Sequence, residues 1–599
     1  MDRNLILAVV LSMGVMLFWD LFIAGPQREA YEAARQAEAE RVATEEETVE
    51  PTLSGLEALT SGEPTVSVEE AIAAAPARAP IRTDNFEGSI NLRGARFDDL
   101  QLTQYRETID EDSPIIRLLS PAGTDHGYYA FEGWSVGGDR FDDAEWRLID
   151  GDVLTTETPI TIEMEAAGLT FTRTISVDEN FMFTIAQSVR NGGAEAVSVT
   201  PYASVVQRGF PDDMKNFMIL HEGPVGVVGD KLHERKYKKL AKDKSKSIQA
   251  DGIGGWVGLT GKAWLTAVIP PQDANVRALM TNEGTAAAPV FNSFYALPQR
   301  TIAPGETDTL TTNLFAGAKV VKILKGYQAP VDKGGLGIQN FDKAVDWGNF
   351  FFLTRPIFTV LNYFGHLTGN YGVSILILTL IIKILLFPIA NKGFESLSKM
   401  KKLQPEIEKI RARYEDDKMK QQQEMMALYK KENMNPLAGC LPILLQMPIF
   451  YALYKTLFVT IELRHEPFVL WIKDLSAPDP TSIFNLFGLL PFDPTAAPLI
   501  GAFLGIGVLP ILMGVAMWFQ TKLNPPPADP TQAQIFAMLP FVFVFIFAPF
   551  AAGLVLYWFW NTVLTIVQQY VIMRRNGVEV DLASRFTLPG RKKSPAPGE

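Results

Sequence analysis

The chain is 599 residues long, 47% hydrophobic and 20% charged, with a formal net charge of −12, so at roughly 100–200 residues per domain it holds several domains. The charge is unevenly spread: residues 336–599 carry 24 Lys+Arg against 19 Asp+Glu, and residues 1–335 carry 31 against 48. An acidic first half excludes a nucleic-acid coat; a single cysteine, Cys440, excludes a disulfide framework and a cysteine zinc site; five scattered histidines without ligand spacing point to no metal and no cofactor.

Residues 5–24 form the first apolar run, LILAVVLSMGVMLFWDLFIA, and about 20 residues of helix cover the ~30 Å hydrocarbon core. A cleaved signal peptide is the alternative, but the run is too long, Trp19 and Asp20 sit near its far end and no A-x-A site follows. We assign 1–25 as an N-terminal transmembrane anchor. Residues 26–80 are rich in Ala, Glu, Pro and Thr with few large apolar side chains, and read as a disordered tether. From 81 to 335 the pattern becomes strand-like: ITIEMEAAGLTFTRTISV (160–177) and FMFTIAQSVRN (181–191) alternate with period two, and GWVGLT (255–260) and AWLTAVIP (263–270) are bounded by Gly and Pro. Many short strands predict a large β-sandwich. Such a sandwich can be sugar-active, but no carboxylate or histidine cluster is visible for acid–base work, which favours a docking scaffold.

Residues 336–389 combine an interfacial helix at 338–352, with Phe341, Val345, Phe351 and Phe352 near one face, and a second span at 371–388. A simple extension of the following helix is the alternative to the interfacial helix. Residues 390–435 read as a helical hairpin, with Leu397, Met400, Leu403, Ile407 and Ile410 on the first arm, Met425, Leu428 and Tyr429 on the second, and Asp416-Asp417 at the turn. Spans three to six follow within 436–573, at 436–460, 499–519, 535–550 and 553–573; the last two are read as separate helices, because 39 residues is nearly twice one crossing. Residues 574–599 form a basic tail. The 390–435 loop carries eleven Lys and Arg against eight acids, the tail carries six, and the 461–498 loop carries two against five acids. The positive-inside rule therefore places the hairpin and both termini in the cytoplasm and the sandwich outside. The predicted fold class is a membrane α-helical protein of six transmembrane helices plus a large external all-β sandwich.

Lys383 lies inside LTLIIKILLFP, and an ammonium at that depth costs several kcal/mol unless it faces a polar cavity. Snorkelling past Pro388 to the headgroups is the alternative. Thr379 shares its helical face; Gln446 lies in the third span, and Asn561, Thr565 and Gln568 form a stripe on the last. Such stripes also simply join helices, but three helices offering polar groups near one cation point to a hydrated groove. No Asp or Glu occurs in the later spans, so the cation has no intramembrane counter-ion. The basic excess of the hairpin permits contact with ribosomal RNA or anionic lipid, and is equally a solvated face.

The stretches QQQEMMALYKKENMNPLAGCLPILLQMPIFYALY (421–454), ELRHEPFVLWIKDLSAPDP (462–480) and GLVLYWFWNTVLTIVQQYVI (553–572) resemble the YidC/Oxa/Alb membrane protein insertase family. The anchor and external sandwich resemble the Gram-negative form. The likeness is strong over 340–575 and weaker over 1–335. It implies a five-helix insertase core, no enzyme activity, a bacterial inner-membrane location with a periplasmic sandwich, and nascent membrane proteins, the Sec translocon with its accessory subunits, the ribosome and the lipid bilayer as partners, with no specific nucleic-acid binding beyond ribosome contact. It also implies Lys383, Thr379, Gln446, Asn561, Thr565 and Gln568 as groove lining. The family's cation is typically Arg; Lys383 keeps the charge and loses the bidentate fork. The turn at 549–553 departs from the aromatic-then-proline arrangement of some relatives, and Cys440 matches a small packing site.

The expected mechanism is passive: Lys383 attracts a short, often acidic external segment, groove water spares it full desolvation, and partitioning of the apolar helix into lipid drives insertion. No GxxxxGK[ST] motif for a nucleotide occurs in the chain. A secondary transporter using the same cation is the rival, but internal repeats and paired broken helices are not seen.

Overall fold

The computed structural model describes residues 66–214, 220–415, 417–432, 441–490, 494, 501–524 and 530–577. The chain divides into two units, Met1–Glu57 and Ala58–Glu599. The expected anchor, most of the expected tether, Cys440 and the tail from 578 lie outside the described residues.

The tether, expected to reach Pro80, gives way to regular structure sooner. Ser67 and Glu70 close a capping box on the short helix Val68–Ala73, and the strand Arg78–Arg82 pairs antiparallel with Phe86–Asn91. The sandwich consists of a ten-stranded and a nine-stranded sheet. The alternating segments read from the sequence are neighbours in the nine-stranded one: Ile160–Ala166, Leu169–Val177 and Met182–Asn191 run side by side. Ala167 and Gly168, both at positive φ, make the two-residue turn between the first two, the geometry that matches strand twist. Gly255–Thr260 and Trp264–Ile269 are buried along their whole length, as central strands covered on both faces. Gly255 sits at φ +99°, and a Cβ there would stand 1.9 Å from the Val227 carbonyl oxygen. Gly255→Ala is therefore expected to cost the sandwich about 3 kcal/mol, read as a lower unfolding temperature of the purified chain.

One polar cluster crosses the sandwich interior. Glu132 on the strand Tyr128–Val136 accepts from Gln187 Nε2 at 2.7 Å and Thr312 Oγ1 at 2.5 Å. Arg173 donates to the Glu132 carbonyl at 2.5 Å and to Gln187 Oε1 at 3.0 Å, and its guanidinium lies 4.3 Å from the Trp146 ring centroid.

The expected interfacial helix at 338–352 is not one element. Phe341 and Val345 belong to the sandwich core, with Phe341 at 5.3 Å from both Trp256 and Phe315. Burying a phenylalanine is worth about 1.5–3 kcal/mol, which outweighs continuing a helix through it. Asp342 then pairs with Arg355 at 2.9 Å, and Gly348, at φ +68°, separates this plug from helix α1, Phe351–Thr368. Helix α1 buries Thr354, Ile357, Phe358, Leu361 and Gly365 and leaves Phe351, Phe352, Tyr363 and Leu367 more than half exposed. An apolar outer face on such a helix suits the membrane surface.

Helix α2, Tyr371–Lys402, has 32 residues and spans about 48 Å. Its carboxyl end corrects the expected end of the span at Pro388, since the helix continues through that proline. It alone among the described helices is long and apolar enough by that measure to cross a membrane. Helices α3 (Gln404–Arg413) and α4 (Lys418–Lys431) follow, the latter capped by Asp417 Oδ1 at 3.0 Å from the Lys420 N–H. Ile407 and Leu428 are their buried apolar residues. Next come α5 (Leu441–Val459), α6 (Val508–Leu523), α7 (Pro530–Phe547) and α8 (Ala552–Arg575).

Helix α6 starts nine residues later than read from the sequence. A separate turn of helix, Gly501–Leu504, precedes it, and loop side chains cap its amino end: Asp479 Oδ2 accepts from the Leu509 N–H at 2.7 Å and Thr481 Oγ1 from the Val508 N–H at 2.9 Å. Helix α2 packs between α1 and α8, α6 lies on α8, α7 on α6, and α5 touches α1, α2 and α8. Leu361, Ile375, Leu453, Met513 and Tyr557 form the shared core.

Candidate functional site

Lys383 lies on α2, partly buried, with its amine turned toward α8. The Nζ donates to Thr565 Oγ1 at 2.6 Å, and the Thr565 hydroxyl donates onward to the Asn561 carbonyl at 2.6 Å. That chain uses the hydroxyl as both acceptor and donor. The partner of the ammonium is thus neutral, and no Asp or Glu occurs in α5, α6, α7 or α8.

The other residues singled out from the sequence divide. Thr379, one turn earlier on α2, is buried and gives its hydroxyl to the Ile375 carbonyl at 2.6 Å, the back-bonding usual for a threonine within a helix. Gln446 on α5 donates from Nε2 to the hydroxyl of Tyr557, eight residues and so about 12 Å along α8 from Thr565. Asn561 lies between these two tiers, partly buried. Gln568 joins neither: its Nε2 is buried without a hydrogen-bond partner among the described residues.

Sequence reasoning overlooked Tyr557 and Gln569. Tyr557 is fully buried and stands four residues before Asn561, so helical spacing placed it on the polar stripe. Gln569, 1% exposed, donates to Asn524 Oδ1 at 2.9 Å just beyond the end of α6; it lies four residues after Thr565, the neighbouring step of the same stripe. Because Gln446 and Tyr557 tie α5 to α8, Tyr557→Phe is expected to cost about 1 kcal/mol, measured as thermal unfolding in micelles. Adding Gln446→Met, which removes the orphaned amide, is expected to restore part of it.

Among the described residues no group of histidine, cysteine, aspartate and glutamate is arranged to hold a metal ion.

The site and fold can be set beside known proteins. Residues 78–360 match the model of the YidC periplasmic domain, and residues 363–579 match that of the 60Kd inner membrane protein family. The membrane protein insertase YidC of Nitrobacter hamburgensis is 46% identical over 99% of this chain and 98% of its own length. That of Caulobacter vibrioides is 44% identical over 96% of each. The chain belongs to the YidC membrane protein insertase family. YidC proteins are membrane insertases, not enzymes, and the chain is accordingly an inner-membrane protein whose β-sandwich is the periplasmic domain. A crystal structure of an active YidC insertase with its first transmembrane domain resolved aligns over 82% of this chain and 91% of that one, at 18% identity and a TM-score of 0.36. A galactose mutarotase related enzyme from Lactobacillus acidophilus aligns over 40% of this chain, at 11% identity and a TM-score of 0.29. Neither likeness carries weight at such scores, and the second touches no more than the sandwich's share of the chain.

Proposed function

We propose that the chain inserts nascent inner-membrane proteins through a hydrated intramembrane groove whose floor carries Lys383, alone or together with the Sec translocon. Family membership supports the activity. The inward turn of the Lys383 amine onto Thr565 is the single observation that supports this groove, because a snorkelling lysine would reach for headgroups instead. In this reading six helices span the membrane: the N-terminal anchor, α2, α5, α6, α7 and α8, the last five forming the core. Both termini and the α3–α4 hairpin face the cytoplasm, where the hairpin receives substrates from the ribosome.

Thr379, Gln446, Asn561, Thr565 and Gln568 line the groove, with Thr565 against Lys383 and Gln446 at the separate tier of Tyr557. A hydrophilic external segment enters from the cytoplasmic side and meets a positive charge that no carboxylate among the described residues pairs with. Its passage costs less than through lipid, because polar side chains and water replace part of its hydration. The adjoining apolar helix then partitions into the bilayer and supplies the driving force.

Reconstitution tests the reading. Purified chain in liposomes is expected to insert a small single-span protein into a protease-protected form without nucleotide, and not to take up a labelled small anion. Anion uptake without insertion would favour a transporter.

A further inference from the structure

The sandwich meets the membrane helices at a polar cleft of about 340 Å³, within the usual range for ligand sites of roughly 300–1,000 Å³. Its floor is an ion pair between Lys455, near the end of α5, and Asp346, just ahead of α1. Asp346 also accepts the His221 backbone N–H at 2.7 Å, so the floor is fixed from both the sandwich and the membrane side. One wall carries Arg235, Lys236 and Lys239 in sequence, and the Nε of Arg235 is buried without a hydrogen-bond partner among the described residues.

The cleft is positive on balance. Four of its lining residues are basic, Arg235, Lys236, Lys239 and Lys455, and two are acidic, Glu234 and Asp346. Burial, and then the charge of Asp346, raises the carboxyl of Glu234 above its usual range. Burial lowers His221 to about 4, so its imidazole is neutral at neutral pH.

The membrane rim is aromatic. Tyr451 lines the cleft and packs against Phe350 with ring centroids 5.4 Å apart, and the next two residues, Phe351 and Phe352, are 55% and 59% exposed. Aromatic side chains gather where headgroups meet acyl chains. A basic, hydrogen-bonding pocket directly above such a belt has the chemistry of a lipid site. We propose that this cleft binds the phosphodiester headgroup of an anionic glycerophospholipid of the outer leaflet, with the phosphate against Arg235 and Lys239 and the acyl chains over Phe351 and Phe352. An acidic polypeptide segment would use the basic wall and leave the aromatic rim idle.

Native mass spectrometry of the full chain, released from mixed micelles of phosphatidylglycerol and phosphatidylcholine, tests this. One phosphatidylglycerol is expected to stay bound at least tenfold more tightly than phosphatidylcholine. At about 1 kcal/mol per basic residue near the headgroups, Arg235→Gln with Lys239→Gln is expected to weaken it about 30-fold, while circular dichroism confirms an intact sandwich. Phe351→Ser with Phe352→Ser is expected to weaken retention of the lipid and leave binding of glycerophosphoglycerol, the headgroup alone, unchanged. Equal retention of the two lipids, or full displacement by inorganic phosphate at concentrations below that of the lipid, would overturn the proposal. So would preferential displacement by an acidic peptide in the absence of any lipid preference.

Discussion

Lys383→Ala is expected to lower insertion of substrates with acidic external segments by roughly 10–100-fold, and to spare substrates whose segments are neutral. An attraction of about 4 kcal/mol between unit charges ~4 Å apart at intermediate dielectric sets the upper scale, and a transient contact in a wet groove realises part of it. Lys383→Glu is expected to fall below alanine, because a carboxylate repels the same segments. Lys383→Arg is expected to retain activity, since charge is kept and the planar fork gains a second donor direction. Thr565→Val leaves the charge but removes the hydroxyl that the amine donates to at 2.6 Å, and is expected to reduce insertion several-fold. The measurement is the rate of protease-protected product in reconstituted vesicles, with substrates matched except for segment charge. Full activity of Lys383→Glu would remove the electrostatic account.

Arg173→Met should be the most damaging single change in the periplasmic domain. Arg173, Glu132, Gln187 and Thr312 are all less than 5% exposed, so the substitution deprives the Glu132 carbonyl and Gln187 Oε1 of their donor and the Trp146 ring of its guanidinium, and removes a buried charge that acts on the Glu132 carboxyl. Orphaning two buried acceptors at about 1–3 kcal/mol each puts the loss at about 3–5 kcal/mol. For a domain of this size that corresponds to roughly 6–20 °C in unfolding temperature, read by near-ultraviolet circular dichroism. Arg173→Met with Glu132→Leu is expected to recover little of the loss, because the backbone carbonyl at 132 and Gln187 stay without their donor and Thr312 loses its acceptor. The cluster also sets a pH dependence. Burial pushes Glu132 up to about 7, against the Thr312 hydrogen bond and the Arg173 charge. A carboxyl with a higher pKa folded than unfolded binds protons more tightly when folded, so its contribution is complete below about 4.5 and is lost as pH rises through about 7. Glu132→Gln is expected to flatten that slope.

Much of this architecture was legible in the chain because it follows from local periodicity. Alternation over 160–177 announced strand structure, though not the turn at Ala167-Gly168 that divides it in two, and the long apolar runs announced α2, α5, α7 and α8. Lys383 and Thr565 were identified separately, as a cation in an apolar run and a member of a polar stripe. Their contact was not legible, since 182 positions separate them. The failures share a cause. Phe341 and Val345 have helical spacing, but a tertiary cavity between Trp256 and Phe315 claimed Phe341. Helix α6 was read too long because hydropathy does not see the Asp479 and Thr481 caps, which come from a loop about 30 residues earlier. Gln569 was not legible beside Gln568, since its partner Asn524 lies 45 positions away beyond the end of α6. The Asp346–Lys455 pair, 109 positions apart, left no local trace.

The unbroken course of α2 has a mechanical consequence. A stretch of helix about 28 Å long joins Lys383 to Lys402, where the chain turns into α3 and α4. A torque applied at the hairpin therefore swings the ammonium about the helix axis, toward Thr565 or away from it, with no loop between them to absorb the motion. A compliant point on that path is Pro388, whose missing N–H leaves the Ile384 carbonyl without its helical partner and softens the rod five residues after the cation. Stiffening this joint by Pro388→Ala would couple the two ends more tightly.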